Sequence, residues 1–343
     1  MSNDKGLKAV MVGCGGMSGA WLKPAAEIRD LEIVALVDIR EEAARRRAEE
    51  FKLKDALVST NFEAALEQMR PDIVFDCTVP EAHVEVTLTA LTYGCHVLGE
   101  KPLADSMENA RKMVAAAQKA GKLYAVIQNR RYQANIRRLH AFLRSGVIGP
   151  LTTVYCDFVI GAHFGGFRDR MMHVLLLDMA IHTLDSARFL TGSDPVAVMA
   201  REWNPAGSWY DHDASAVAIF EMTGGVIYTY RGSWCAEGLN TSWEGEWRFI
   251  GEKGSVAWNG GDEFRAQVVA KTGGFTSELR EVAVPAFDAM QHAGHDAILR
   301  EFVQCVRFGG APETICTDNI KSLAMVFGAI ESSAARRRVE VKW

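Results

Sequence analysis

The stretch KAVMVGCGGMSGAWLKPA, residues 8–25, decides how the first part of the chain folds. An apolar run that predicts a buried strand leads into a glycine cluster, and a helical pattern follows. Gly13, Gly15 and Ser18 fit the spacing G-x-G-x-x-small. Gly13 permits a tight turn, Gly15 lets a pyrophosphate approach the backbone, and a small third residue permits close strand–helix packing. Free N–H groups at the start of the helix would then bind phosphate, so the stretch predicts a dinucleotide site rather than a flexible turn.

Asp38 supports this prediction. It ends the second apolar run, about 20 positions after Ser18, where a carboxylate accepts hydrogen bonds from both adenosine ribose hydroxyls. A bare carboxylate repels a 2′-phosphate, so we expect NAD in preference to NADP, although Arg40 leaves some use of NADP open. Further cofactor contacts in this region are expected from Gly16, Met17 and Ile39.

The first third of the chain alternates short apolar runs with helical patterns. Strands are predicted at 9–12, 33–38, 73–77, 96–99 and 123–127, and helices at 41–51, 62–69, 81–93 and 107–120. Strands that are apolar on both faces and alternate with helices form a parallel sheet with helices on each side. We therefore predict an α/β, doubly wound Rossmann domain that binds NAD(P) over residues 1–127.

The pattern changes after residue 128. Helices are predicted at 134–145, 174–190, 295–308 and 318–336, and strands at 151–160 and repeatedly between 196 and 284. One hairpin signal is Thr223-Gly224-Gly225 between two alternating runs. Residues 128–343 are thus predicted to form an α+β domain with a large, mainly antiparallel open sheet. We expect this domain to bind the substrate and to form a homodimer or homotetramer through the outer sheet face.

The composition is that of an ordinary globular protein. The 38 basic and 43 acidic residues give a net charge of −5. The arginine runs 45–47 and 336–338 are interpreted as solvated helix faces. We therefore expect no nucleic-acid partner. Seven scattered cysteines without CxxC spacing argue against disulfides and zinc and for a reducing compartment. Residues 1–8 lack a signal-peptide pattern and no apolar run is long enough to span a membrane, so we expect a cytoplasmic protein without a membrane partner.

Four further segments carry a resemblance to a known family. They are FDCTVPEAHVEV (75–86), GEKPLA (99–104), RSGVIGPL (144–151) and LLLDMAIHTLDSARFL (175–190). Together with the glycine motif they make nearly the whole chain resemble the Gfo/Idh/MocA family, named after glucose–fructose oxidoreductase, inositol dehydrogenase and a rhizopine-catabolism protein.

Three residues are candidates for catalysis. Lys101 follows a buried strand at the carboxyl edge of the sheet, where ligands bind in open α/β folds; it is either a partner of Glu100 or a catalytic cation. Asp178 and His182 share one face of a predicted helix, as an ion pair or as a general acid–base pair with a fixed imidazole tautomer. The resemblance identifies Lys101 with the family's EKP lysine, which hydrogen-bonds the reacting oxygen, and the other two with its catalytic Asp–His pair.

Other candidates are less specific. His83 matches a family histidine found near the cofactor, and a packing role is equally open. Additional cofactor contacts are expected from Thr78, Pro80, Glu100, Lys101 and Asn129. Substrate contacts are expected from Lys101, Arg131, Tyr132, Arg168, Asp178 and His182. A metal site formed by Asp178, His182 and His173 has no open-site pattern to support it, and no metal is expected.

The resemblance implies an NAD-dependent dehydrogenase that acts on a secondary alcohol of a sugar, cyclitol or sugar derivative. His182 would take the hydroxyl proton, Lys101 would stabilise the developing alkoxide and Asp178 would orient His182, with the roles of Lys101 and His182 open to exchange. Two alternatives remain. One is an NAD-dependent glycosidase that oxidises its sugar transiently, and the other is a nucleotide-sensing regulator without catalysis.

Overall fold

The computed structural model describes residues 6–287 and 290–343. The chain divides into two compact units, one formed by Met1–Tyr132 and His292–Ile320 and the other by Gln133–Gln291 and Lys321–Trp343. The predicted division put everything after residue 127 into one domain, whereas here a late segment returns to the first unit. Of residues 1–8, used to judge the absence of a signal peptide, the first five lie outside the described part.

The first unit contains a six-stranded parallel sheet. Its strands are β1 (Leu7–Val12), β2 (Leu31–Val37), β3 (Leu57–Ser59), β4 (Ile73–Asp76), β5 (His96–Gly99) and β6 (Tyr124–Val126). They are arranged in the order β3-β2-β1-β4-β5-β6, and every pairing is parallel. This is the order of a doubly wound dinucleotide-binding fold, in which ligands bind at the carboxyl ends of the strands where the order reverses, beside β1 and β4. The predicted fold class is confirmed.

Helices connect these strands and continue through the rest of the chain. They are α1 (Ser18–Ala25), α2 (Glu41–Glu50), α3 (Phe62–Met69), α4 (His83–Thr92), α5 (Met107–Ala120), α6 (Ala134–Arg144), α7 (Ile181–Thr191), α8 (Gly294–Phe308) and α9 (Cys316–Ala335). Local signals set several ends. The Asn61 side chain accepts a hydrogen bond from the Ala64 N–H at the start of α3, and Gly121, with φ 63°, ends α5.

Helix α8 belongs to the first unit because of the apolar face that it buries there. Ile298, Leu299 and Phe302 are fully buried in one core cluster with Trp21 and Leu22 of α1. Burying side chains of this size stabilises a fold by roughly 1.5–3 kcal/mol each. The phosphate-loop helix is therefore packed against a segment that lies far away in the sequence.

The second unit is built on a nine-stranded sheet. The strands are β7 (Leu151–Val159), β8 (Pro195–Trp203), β9 (Ser215–Met222), β10 (Ile227–Ser233), β11 (Glu246–Gly251), β12 (Gly254–Trp258), β13 (Phe264–Lys271), β14 (Glu278–Val282) and β15 (Val339–Glu340). Their order is β14-β13-β12-β11-β7-β10-β9-β8-β15. Only β7 and β10 pair in parallel, so the sheet is mainly antiparallel, as predicted. Within the described ranges, no helix is long and apolar enough to cross a membrane.

Candidate active site

The turn after β1 is as tight as its glycine predicts. Gly13 has φ 85°, and a Cβ at this position would lie 2.5 Å from the carbonyl oxygen of Cys77. Both the backbone conformation and the contact with the turn after β4 therefore require glycine. The turn brings the start of α1 to the carboxyl edge of the sheet, at the point where the strand order reverses.

Gly15 and Gly16 are different, because a Cβ on either would meet no atom within 4 Å. Nothing in this region of the chain requires glycine there, so the open space beside the backbone is left for a ligand. Met17, just before α1, is 48% exposed, whereas Ser18 is fully buried and its hydroxyl donates to the Gly15 carbonyl at 2.7 Å. This arrangement fits a pyrophosphate resting on the backbone N–H groups of the loop.

Asp38 lies beside this loop. Its Oδ2 accepts a hydrogen bond from the Cys14 N–H at 2.8 Å, and its Oδ1 accepts one from the Arg40 N–H at 2.9 Å. A carboxylate has about four lone-pair sites, so these two bonds leave acceptors for ribose hydroxyls. The Arg40 side chain is 70% exposed, with its Nε 3.8 Å from Asp38. Ile39 between them is 92% exposed.

A buried ion pair braces the turn after β4. His83 Nδ1 lies 2.9 Å from Asp76 Oδ2, and Thr78 donates its hydroxyl to Asp76 Oδ1 at 2.6 Å. Burial opposes charge on both residues of the pair, but their mutual attraction and hydrogen bond outweigh it. The pKa of His83 is therefore raised and that of Asp76 is lowered. These contacts give His83 a bracing role, and its contact with the cofactor stays a prediction.

The next turn along the sheet carries Lys101. Glu100, which is 7% exposed, accepts hydrogen bonds from the Trp21 indole N–H at 2.9 Å and from the Lys101 backbone N–H at 3.0 Å. The Lys101–Pro102 peptide bond is cis. A single carboxylate thus ties the lysine turn to the phosphate-loop helix. The sequence analysis considered Glu100 as a partner for the lysine side chain and as a cofactor contact, and the structure adds a bond from Glu100 to the lysine backbone.

His295 is a residue of this region that the sequence analysis missed. It lies at the start of α8, with its Nδ1 3.4 Å from the Asn129 amide nitrogen. Burial lowers the pKa of His295 and the positive charge of Lys101 acts in the same direction, while Glu100 opposes both. No spacing in the sequence linked His295 to the glycine motif, because only tertiary packing brings α8 to this edge.

Arg131 and Tyr132 lie inside the first unit. The Arg131 guanidinium contacts Asp318 Oδ2 at 3.0 Å, and the Tyr132 hydroxyl donates to the carboxylate of Glu301. Both side chains are buried. They connect the end of the first sheet to the returning C-terminal segment, and their contact with the substrate stays a prediction.

The second unit holds Asp178 and His182. Asp178 lies in a π-helical turn, Leu175–Ala180, that runs directly into α7, where His182 is the second residue. The sequence predicted one continuous α-helix, but π-helical turns of this kind are often found at functional sites. Asp178 and His182 are four positions apart, which is a little less than one turn of a π-helix. Both side chains therefore still lie near the same side of the helix. His182 is half-buried.

Arg168 is the partner found for Asp178. Its Nε lies 2.5 Å from Asp178 Oδ2, and its guanidinium carbon is 5.0 Å from the ring centre of Phe164 and 4.6 Å from that of Phe167. Two aromatic rings therefore hold the cation against the carboxylate. The sequence analysis predicted that Arg168 contacts the substrate, and the structure brings it to one of the proposed catalytic residues.

His173, the third member of the metal hypothesis, has a different partner. Its Nδ1 lies 2.8 Å from Glu202 Oε2, and this hydrogen bond raises the pKa of His173. In the part of the chain that the structure describes, no group of three or more His, Cys, Asp or Glu side chains is placed to hold a metal ion.

Two family models match this chain. Residues 7–128 match the family model GFO_IDH_MocA, described as an oxidoreductase family with an NAD-binding Rossmann fold, and residues 136–257 match the GFO/IDH/MocA C-terminal domain. D-apiose dehydrogenase of Paraburkholderia graminis is 28% identical over 98% of this chain and 90% of its own length. D-glucoside 3-dehydrogenase of Escherichia coli is 35% identical over 52% of each chain.

A solved structure shares the whole architecture. An oxidoreductase from Agrobacterium radiobacter, in complex with NAD+, L-tartaric acid and magnesium, superposes with a TM-score of 0.85, at 22% identity and over 98% of both chains. At this level of identity the similarity concerns the fold alone.

Proposed function

The chain belongs to the Gfo/Idh/MocA family of oxidoreductases, and on that premise we propose that it is an NAD-dependent dehydrogenase of a sugar, a cyclitol or a sugar derivative. The observation that carries the proposal is the glycine loop with Asp38 bonded to it through the Cys14 N–H. A carboxylate at this position accepts hydrogen bonds from an adenosine ribose and repels a 2′-phosphate, which supports NAD over NADP.

The residues of the first unit fit such a cofactor. The backbone of Gly15, Gly16 and Met17 would hold the pyrophosphate, and Asp38 would hold the adenosine ribose. Thr78, Lys101 and Asn129 follow strands at the same edge and are proposed for the remainder of the cofactor. The chemistry that NAD supplies when bound is acceptance of a hydride from the substrate carbon.

Transfer of the substrate hydroxyl proton is assigned to side chains of the protein. We assign the substrate hydroxyl proton to the imidazole of His182 and the stabilisation of the developing alkoxide to the ammonium group of Lys101. Asp178 orients His182 and supports its positive charge, and Arg168 holds the Asp178 carboxylate in place. The two proton-handling roles of Lys101 and His182 are open to exchange, since either group can hydrogen-bond the reacting oxygen.

The substrate class rests on the relatives. Their names include a D-apiose dehydrogenase and a D-glucoside 3-dehydrogenase, both of which act on carbohydrates. A polyhydroxylated substrate also suits the carboxylate, imidazole and guanidinium groups that the second unit provides, because each of these can hydrogen-bond a hydroxyl.

A substrate panel tests the proposal. Purified protein and NAD are incubated with sugars, inositols, sugar acids and aryl glycosides, while absorbance follows NADH and chromatography follows any released aglycone. We expect NADH in proportion to one class of substrate. Cleavage of a glycoside without net NADH would identify a glycosidase that oxidises its sugar transiently. NAD binding without either reaction would identify a nucleotide sensor.

A further inference from the structure

The arginine run 45–47 of α2 is not uniformly a solvated helix face. The Arg45 side chain is 60% exposed and pairs with Glu41, and Arg46 is also exposed. The Arg47 side chain is only 12% exposed. It points to the glycine loop after β1, and its contacts there have not been used by the proposed function.

Arg47 bonds to three groups of the loop. Its Nη2 donates to the carbonyl oxygens of Gly15 at 2.7 Å and Gly16 at 3.1 Å, and its Nε donates to Ser18 Oγ at 3.0 Å. The guanidinium is also paired with Glu50 on its own helix. A planar fork of donors can hold several acceptors at once, which a lysine ammonium does not do with the same geometry.

A hydrogen bond from Arg47 to a carbonyl oxygen also fixes the direction of the N–H group in the same peptide unit. In a planar trans peptide the C=O of one residue and the N–H of the next point in opposite directions. With the Gly15 and Gly16 carbonyls turned towards Arg47, the N–H groups of Gly16 and Met17 are turned away from it. Neither N–H makes a hydrogen bond among the described residues, and these are two of the groups proposed to hold pyrophosphate.

We propose that Arg47 is a positioning residue of the dinucleotide site, which orients the phosphate-binding N–H groups of Gly16 and Met17 by holding the carbonyls behind them. This inference rests on the proposed cofactor site. It adds a residue outside the glycine motif and assigns it to one part of the cofactor, the pyrophosphate.

Two neighbouring residues fit this role. Ser18 stands where the motif usually has glycine or alanine, and its hydroxyl both accepts from Arg47 and donates to the Gly15 carbonyl. At Gly19 an added Cβ would lie 3.3 Å from Arg47 Nη1, tighter than ordinary van der Waals contact. Ser18 thus supplies an acceptor for Arg47 while Gly19 leaves room for it.

The test compares ligands with and without the phosphates. Affinities of wild type, Arg47→Gln and Arg47→Lys for NAD, ADP and adenosine are measured by calorimetry, or by ligand-observed NMR where binding is weak. Because the N–H groups of Gly16 and Met17 would lose the carbonyl contacts that orient them, we expect Arg47→Gln to weaken NAD and ADP binding by about 10–100-fold, as the loss of a charge-assisted hydrogen bond does. Adenosine lacks the pyrophosphate, so its affinity should change by less than about twofold. The matched control is Arg46→Gln on the same helix, for which all three affinities should stay at wild-type values.

The Lys variant separates orientation from charge. Arg47→Lys keeps the positive charge but not the fork, so we expect a loss close to that of Arg47→Gln; full recovery would show a simple charge effect and contradict the proposal. Equal losses for adenosine and ADP, or unchanged ADP binding in Arg47→Gln, would also contradict it. Binding needs no turnover, so a silent substrate panel leaves the test intact. A wild-type chain that binds neither NAD nor ADP would contradict the cofactor assignment and this proposal together.

Discussion

The turn that carries Lys101 is held through its backbone by the carboxylate of Glu100. Glu100 accepts hydrogen bonds from the Trp21 indole and from the Lys101 backbone N–H, so the turn is held even when the lysine side chain is changed. A variant at position 101 removes the ammonium group and leaves the bond that fixes the backbone.

We therefore expect Lys101→Ala to lower kcat by roughly 10²–10⁴ while NAD binding survives, since the loop residues and Asp38 are proposed to hold most of the cofactor. The substrate identified by the panel is used for steady-state kinetics, and NAD binding is measured separately. Lys119→Ala, at an exposed position near the end of α5, is the matched control and should behave as wild type. A Lys101→Ala enzyme with near-normal kcat would remove Lys101 from the catalytic assignment.

At this scale the sequence predicts residues that belong to a local spacing. Gly13, Asp38 and Lys101 were all recognisable because each lies within two residues of the carboxyl end of a strand. His295 and Arg47 were not, since one lies on a helix that returns from the far end of the chain and the other looks like any surface arginine. Their significance depends on tertiary contacts that have no fixed spacing in the sequence.

Among the elements, those with strong local signals were predicted best. The bounds of α3 and α5 agree with prediction because a side-chain cap begins each helix and a left-handed residue ends it. Strand β3 was missed because Leu57–Ser59 is only three residues long, too short for a periodic pattern. The π-helical turn before α7 was also missed, because its apolar pattern is that of an ordinary helix.

One element-level contact predicts acid sensitivity. His96 begins β5, and its Nδ1 accepts a hydrogen bond from the Leu123 N–H at 3.0 Å, just before β6. Burial lowers the pKa of His96 from 6.5 to about 4, helped by the charge of Lys122 and opposed by Asp72. Between these two pKa values the unfolded chain binds a proton that the folded chain does not, so stability falls as the pH falls from about 6.5 towards 4.

We expect His96→Asn, which keeps an acceptor but cannot titrate, to reduce this loss. Urea unfolding at pH 7 and pH 5 gives the loss of stability for wild type and variant. The two losses should differ by about 1 kcal/mol, a figure discounted for the partial exposure of the side chain. Equal losses would show that His96 does not contribute to acid sensitivity.

For the molecule as a whole, one face of the nine-stranded sheet carries a row of exposed side chains. The strand register aligns Arg248, Tyr155, Thr229, Ile219 and Met199 in one row across five neighbouring strands. Tyr155, Ile219 and Met199 are each more than 40% exposed. Exposed apolar rows on a sheet are typical of surfaces that bind another protein.

We expect a second copy of the chain to cover this face, as the sequence analysis proposed. Ile219→Lys puts a charge in the middle of the row. In sedimentation equilibrium we expect wild type to form dimers or tetramers and the variant to form smaller species. Leu239→Lys, at a fully exposed loop position, is the control and should leave the distribution unchanged. A monomeric wild-type protein, or an Ile219→Lys variant that associates normally, would contradict the expectation.

The return of α8 to the first unit also has a consequence for synthesis. All six strands of the first unit, and most of its helices, have been made once Tyr132 has been added. The apolar side of α1 is covered only later, when Ile298, Leu299 and Phe302 have been made. About 160 residues must be translated in between, which takes on the order of 10–30 s at about 5–20 residues per second. During that interval the nascent chain exposes an apolar surface beside its phosphate loop. That surface is covered only after α8 has been made, because its partners Ile298, Leu299 and Phe302 all lie in this helix.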